Sequence, residues 1–228
     1  MITTVITGDI HARHAKAREL FERIGMISCP TDDPVDDERQ PGFTHVQLGD
    51  AVSLGYGELE AEFYRWLFDT VGVDVALLGN HELPSVWWHP NAVMFQGYYD
   101  RAEVRRELDH DLPTGTGMYW AQQYPWKLGR DRAAEALVRE RYAAGGYRVA
   151  CAVGEWLVTH AGLSPARVQR LGLVGLPACE IADALNQRFE AAQVERVGDS
   201  TIESAAEVDG GIMWIRFEHL LQEYIDAE

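Results

Sequence analysis

Val75-Ala76-Leu77-Leu78-Gly79-Asn80-His81-Glu82 is an apolar run that stops at a glycine and is followed at once by an amide, an imidazole and a carboxylate. A buried strand ending this way delivers polar side chains to one rim of a sheet, which is where open α/β folds bind ligands. The design recurs along the chain. Val5-Ile6-Thr7-Gly8-Asp9-Ile10-His11 ends a strand in Gly-Asp-x-His, His45-Val46-Gln47-Leu48-Gly49-Asp50 ends one in Gly-Asp, and Trp156-Leu157-Val158-Thr159-His160 ends one in histidine. A lone Gly-Asp after a strand is ordinarily a turn, and a lone histidine near a sheet is ordinarily just hydrogen-bonded. Repetition at the same end of successive strands reverses those odds. The tips can gather Asp9, His11, Asp50, Asn80 and His160 into one metal site.

Outward from these tips, an alternation of strands and helices can be read. Residues 2–7 are all β-branched and predict a buried strand. Ala17, Leu20, Phe21 and Ile24 recur at helical spacing. The stretch Cys29 to Phe43 is rich in Pro and Asp and reads as a surface loop whose aspartates lack calcium-loop spacing. A strand at His45–Leu48, a helix over 58–70 with Leu59, Phe63, Trp66 and Leu67 on one face, and a strand at Val73–Leu78 follow. This order predicts an α/β fold with parallel neighbours. The segment 83–124 is crowded with aromatics, Pro and Gly, and reads as a lid or subdomain on a single domain spanning 1–228. A helix over 130–143, a tight hairpin around Gly154, a helix starting at Ser164-Pro165 and another over 179–193 come next. A short strand at Gly211–Ile215 and a closing helix over 217–227 complete the expectation.

Composition narrows the partners. Of 228 residues, 46% are hydrophobic, enough for one sizeable core. Lys plus Arg is 20 and Asp plus Glu is 36, a formal charge of −16. Such a chain is not expected to bind duplex nucleic acid, and its field concentrates divalent cations. Three unpaired cysteines, no basic apolar leader and no membrane-length apolar run lead us to expect a cytoplasmic protein with no membrane association.

The side chains at the tips are suited to phosphate chemistry. Asp9 and His11 are separated by one residue, so on an extended tip they point the same way. Carboxylate with imidazole suits Mn, Fe, Zn or Ni better than Ca. Asp50 can bridge two ions, Asn80 offers a neutral oxygen and His160 a nitrogen. Two ions roughly 3.5–4 Å apart clamp a phosphate and activate a water. His81, beside Asn80, is placed to protonate the leaving oxygen.

Gly8-Asp9-Ile10-His11, Gly49-Asp50, Gly79-Asn80-His81-Glu82 and His160-Ala161-Gly162-Leu163 together resemble the calcineurin-like metallophosphoesterases. Within them the chain looks most like the phosphoprotein-phosphatase branch, with its bacterial Ser/Thr phosphatases and symmetrical diadenosine tetraphosphatases. The resemblance runs from residue 5 to about 216. It implies a β-sandwich of two mixed sheets flanked by helices and a two-metal phosphoesterase. By that likeness one ion takes Asp9, His11 and Asp50, the other takes Asp50, Asn80 and His160, and His81 is the general acid. Trp214-Ile215-Arg216 resembles the family's late Trp-x-Arg, which makes Arg216 a phosphate ligand, and Arg13 lies close enough in sequence to His11 to be another. The implied substrate is a phosphorylated small molecule, a nucleotide or a phosphoprotein.

The chain departs from the branch in two places. Ser53 and Leu54 stand where the branch has an aspartate that orients the acid histidine and an arginine that holds phosphate, which leaves Glu82 or another acid to orient His81. The late Gly-His motif has no counterpart: His219 reads as a helical surface residue. Either the chain is cut short at Glu228, about where another strand is expected, or the second ion is held weakly, or another residue such as His45 or His89 substitutes. A phosphoesterase is therefore weighed against a degenerate relative that binds phosphate or a protein partner with little turnover. A dinucleotide-binding domain is excluded by the lack of Gly-x-Gly-x-x-Gly after the first strand.

Overall fold

The computed structural model describes residues 2–52, 60–86 and 132–195. Ser53, Leu54, Leu59, the aromatic stretch from Trp87 onward with His89, the strand expected at Gly211–Ile215, Arg216, His219 and the helix expected over 217–227 lie outside the described residues. The chain divides into two compact units, Met1–Ser85 with Asp131–Arg148, and Val86–Arg130 with Val149–Glu228.

The first unit is built as the strand–helix alternation requires. Strand β1 (Thr3–Thr7) leads through a loop into helix α1 (His14–Arg23), then come a short antiparallel ribbon of β2 (Ile27–Ser28) and β3 (Glu38–Arg39), and strand β4 (Phe43–Gln47). Helix α2 (Glu60–Arg65) continues as a wider π-turn over Trp66–Gly72 and feeds strand β5 (Val75–Ala76), followed by the single helical turn α3 (Leu83–Val86). Helix α4 (Arg132–Ala143) belongs to the same unit. The sheet order is β1-β4-β5, all parallel, with Thr7 opposite Gln47 and Gln47 opposite Ala76. Arg148 extends it: its N–H donates to Ala76 O at 3.0 Å, and Leu78 N–H donates to Arg148 O at 2.8 Å. Because every strand runs the same way, the residues after Thr7, Gln47 and Leu78 emerge at one edge.

The core beneath that edge is aromatic and aliphatic. Phe21, Met26, Phe63, Leu67, Val71, Leu77 and Leu78 are buried, and each contributes roughly 1.5–3 kcal/mol by leaving water. β1 departs from expectation. Its residues are mostly exposed, with Ile6 46% and Ile2, just before it, 73% accessible. Its β-branched side chains express strand propensity, and among the described residues its one strand neighbour is β4. The Pro/Asp-rich stretch is also more than a solvated loop. Asp37 is buried; Arg18 grips it through Nε and Nη2, and Trp66 Nε1 donates to it at 2.9 Å. A carboxylate so paired pins the segment to α1 and α2.

In the second unit, β6 (Ala150–Val153) and β7 (Trp156–Thr159) form the expected hairpin. Gly154 turns it at φ 60, the positive angle that the first position of a type II′ turn requires. Helix α5 (Pro165–Arg170) starts where Ser164 accepts the N–H of Arg167 and Pro165 occupies the first turn. Helix α6 (Ala178–Glu195) packs on the hairpin through Ala182, Leu185 and Phe189. Its Asn186 accepts the N–H groups of Val149 and Ala150 and donates to Ala150 O, replacing a strand along that edge. The class is α/β, with a parallel sheet, antiparallel ribbons and flanking helices among the described residues.

Candidate metal centre

Three glycines end the parallel segments, and two of them do so for steric reasons. A Cβ on Gly49 would collide with the backbone of Gly79, and a Cβ on Gly79 would collide with Asp50. Gly49 also sits at φ 101, a left-handed angle that glycine adopts without penalty. With no side chain between them, the tips after β4 and β5 come into backbone contact. Asp50 follows at φ 52, which a short polar side chain tolerates.

The loop after β1 is tied to the same point. Ile10 N–H and His11 N–H donate to Asp50 O at 3.1 and 2.9 Å, and Ala12 N–H donates to Ala51 O at 2.8 Å. The tip is not extended, as the i, i+2 reading of Asp9 and His11 assumed. His11 and Ala12 stand at φ 49 and φ 53, so the backbone curls around the Asp50 carbonyl. Asp9 and His11 still approach each other, with Oδ2 and Nε2 4.0 Å apart.

Asp50 is the hub. Its Oδ2 lies 3.9 Å from His11 Nε2 and 3.8 Å from His81 Nε2, and its Oδ1 accepts the His81 backbone N–H at 2.9 Å. The two imidazoles meet edge to face, 4.8 Å between ring centres. One donor atom each from His11, Asp50 and His81 lie within 4.8 Å of one another. Asn80 stands in the same turn as His81, between it and Gly79. The Asp50 side chain is 3% exposed, whereas that of Asp9 is 57% exposed. Burial pushes the Asp50 carboxyl up to about 7, with the His81 N–H opposing the rise and the Asp9 charge adding to it.

This donor set suits a divalent transition metal. Ligand atoms about 2.0–2.2 Å from one ion are at most about 4.4 Å apart, and the two imidazole–carboxylate separations fall inside that limit. A mixed nitrogen and carboxylate shell is the kind that Mn, Fe, Zn and Ni accept. A dication would also offset the negative charge that the buried Asp50 and nearby Asp9 bring to one place.

The remaining candidates are placed as follows. His160 comes directly after β7 in the second unit and is half-buried; Thr159 Oγ1 accepts the Gly162 N–H at 2.9 Å and closes the turn that carries it. Arg13 is exposed at the start of α1, with its backbone N–H on Ile10 O. Arg216 lies outside the described residues. Two expectations are corrected. Glu82 does not orient His81: its carboxylate accepts the backbone N–H groups of Asp50 at 2.8 Å, Gly79 at 3.0 Å and Val52 at 3.3 Å. His45 does not substitute as a ligand, because it is fully buried with Nε2 on Thr7 and Nδ1 near Gly72 O. Burial holds it well below the ordinary histidine range, at about 4.

Glu82 and Gln47 play parts that their sequence context does not reveal. Glu82 reads as chemistry at the tip, yet it is wholly buried and serves backbone. Gln47 reads as an ordinary strand residue. The available signal was a polar pair, His45 and Gln47, at i, i+2 in a run otherwise apolar.

A family model described as calcineurin-like phosphoesterase matches residues 2–172, a span that contains every tip described above. No curated protein matches the chain.

Proposed function

The chain belongs to the calcineurin-like phosphoesterases, and we propose that it is a metal-dependent hydrolase acting on a phosphomonoester or a nucleotide polyphosphate. The observation that carries this reading is the convergence of His11 and His81 on one oxygen of the buried Asp50. Two divalent ions, manganese foremost, would activate a water and offset charge on the phosphate. Asp9, His11 and Asp50 would hold the first of them. Asp50 offers Oδ2 for this, since its Oδ1 already accepts from the His81 backbone. That backbone bond fixes the His81 ring beside the site, where its Nε2 carries the proton for the leaving oxygen.

The substrate in this reading is a phosphorylated small molecule, a nucleotide or a phosphoprotein. The formal charge of −16 argues against duplex nucleic acid as partner. No helix among the described residues is long and apolar enough to cross a membrane. The compartment we assign is the cytoplasm, on three cysteines that are few and not spaced as Cys-x-x-Cys.

Hydrolysis of p-nitrophenyl phosphate with added Mn²⁺ tests the assignment, with Asp50→Asn as the control and metal content per chain measured on both proteins. The expected result is two ions and turnover in the wild type, with both lost in the variant. Equal rates in the two proteins would defeat the catalytic reading.

A further inference from the structure

The ladder between β1 and β4 ends at Thr7 and Gln47, which face each other in register. One residue beyond this pair, Leu48 N–H donates to Thr7 O at 2.8 Å. Past that rung the two segments part at Gly8 and Gly49, each one residue before an aspartate of the metal centre. Their carbonyl oxygens need donors that the ladder no longer provides. Gln47 provides both. Its side chain is buried, and Nε2 donates to Gly8 O at 2.9 Å and to Gly49 O at 2.8 Å. The two carbonyls can only accept, so the amide nitrogen must face them and the amide oxygen must face Thr7. There the Thr7 hydroxyl donates to Oε1, and His45 Nε2 lies 2.8 Å from the same hydroxyl. The carboxamide is thus held in one orientation from both ends.

We propose that Gln47 is a positioning residue of the metal centre, whose carboxamide bridges the diverging tips of β1 and β4 and sets the spacing of Asp9 and Asp50 before an ion arrives. Two carboxylates brought to one site repel each other when no cation is present. A neutral bridge on the residues just before them holds the backbone against that repulsion. A chain held in the binding geometry in advance gives up less ordering free energy when the ion enters. The proposal rests on the metal-centre reading above.

Gln47→Met tests it, since methionine keeps the length and bulk but has no N–H to offer. Mn²⁺ affinity is measured by calorimetric titration, bound Mn²⁺ by its electron paramagnetic resonance spectrum, and folding by circular dichroism. The expected result is a folded variant that binds Mn²⁺ about 10–100-fold more weakly, with a broadened spectrum for the ion that does bind. A residue that served only the fold would lower the melting temperature and leave affinity and spectrum alone; that outcome overturns the proposal. If Gln47→Met does not fold, Thr7→Val decides, because it releases the amide oxygen while leaving Gln47 in place. A severalfold loss of Mn²⁺ affinity supports the bridge, and unchanged affinity overturns it. Failure of the metal-centre reading itself is seen separately, as a wild-type protein that binds no Mn²⁺.

Discussion

Glu82 Oε2 accepts the backbone N–H of Asp50 at 2.8 Å, and the same oxygen takes the N–H of Gly79 at 3.0 Å. One buried carboxylate therefore staples the tip after β5 to the tip after β4, while its second oxygen takes Val52 N–H. Glutamine in its place keeps the shape but turns one acceptor into a donor facing an N–H. Glu82→Gln is expected to destabilise the fold by roughly 1–3 kcal/mol and to weaken Mn²⁺ binding, because Asp50 loses the contact that fixes its backbone. Urea unfolding and metal titration measure the two effects. A variant as stable and as tight as wild type would remove Glu82 from the site's support.

Gly79 faces Asp50 and Glu82 with no room for a methyl group, whereas a Cβ on Gly8 would meet nothing within 4 Å. The two glycines end the segments on either side of β4 at one sheet edge, so they form a matched pair. Gly79→Ala should cost about 1–3 kcal/mol through forced backbone shifts and abolish Mn²⁺ binding. Gly8→Ala should stay within about 0.5 kcal/mol of wild type. Similar melting temperatures for the two would mean that the tips are not in the contact described.

His81 approaches Asp50 as closely as His11 does, so geometry alone admits it as ligand or as acid. The roles separate by leaving group. A proton donor matters little for p-nitrophenolate, which leaves unaided, and matters roughly 10²–10⁴-fold for an alkoxide. His81→Asn is expected to retain Mn²⁺ and to lose far more rate on an alkyl phosphate than on p-nitrophenyl phosphate. Loss of Mn²⁺ together with an equal loss on both substrates would make the ring a ligand instead.

His45 carries a pH dependence that belongs to the fold. Burial lowers its pKa from 6.5 to about 4. The unfolded chain thus takes up the proton first as pH falls, and folded stability is lost between about pH 6.5 and about pH 4, by on the order of 3 kcal/mol in full. His45→Leu cannot take up that proton, so its melting temperature should fall less steeply than wild type across that window. Parallel curves for the two proteins would show that His45 is not held neutral.

Part of the candidate site is legible in the sequence. A β-branched or apolar run followed by glycine and a polar residue is a local signal, and it placed Asp9, Asp50 and His81 at strand ends because strand formation and chain reversal depend on neighbours in sequence. The hairpin at Gly154 and the helix start at Ser164-Pro165 were legible for the same reason. The extended tip assumed for Asp9 and His11 was not what formed. Its curl follows from hydrogen bonds to Asp50 and Ala51, about forty residues away in sequence.

Sequence by itself determined the class of fold, the donors that can reach one edge of the sheet and the family. Tertiary structure alone decided which polar residues serve the chemistry and which serve the backbone around it. Glu82 read as a reactive carboxylate and is a staple; Gln47 read as a strand residue and bridges two tips; β1 read as buried and is mostly exposed. The physical reason is register. A hydrogen-bonding side chain finds its partners through the pairing of parallel strands, and that pairing joins residues that no local pattern connects.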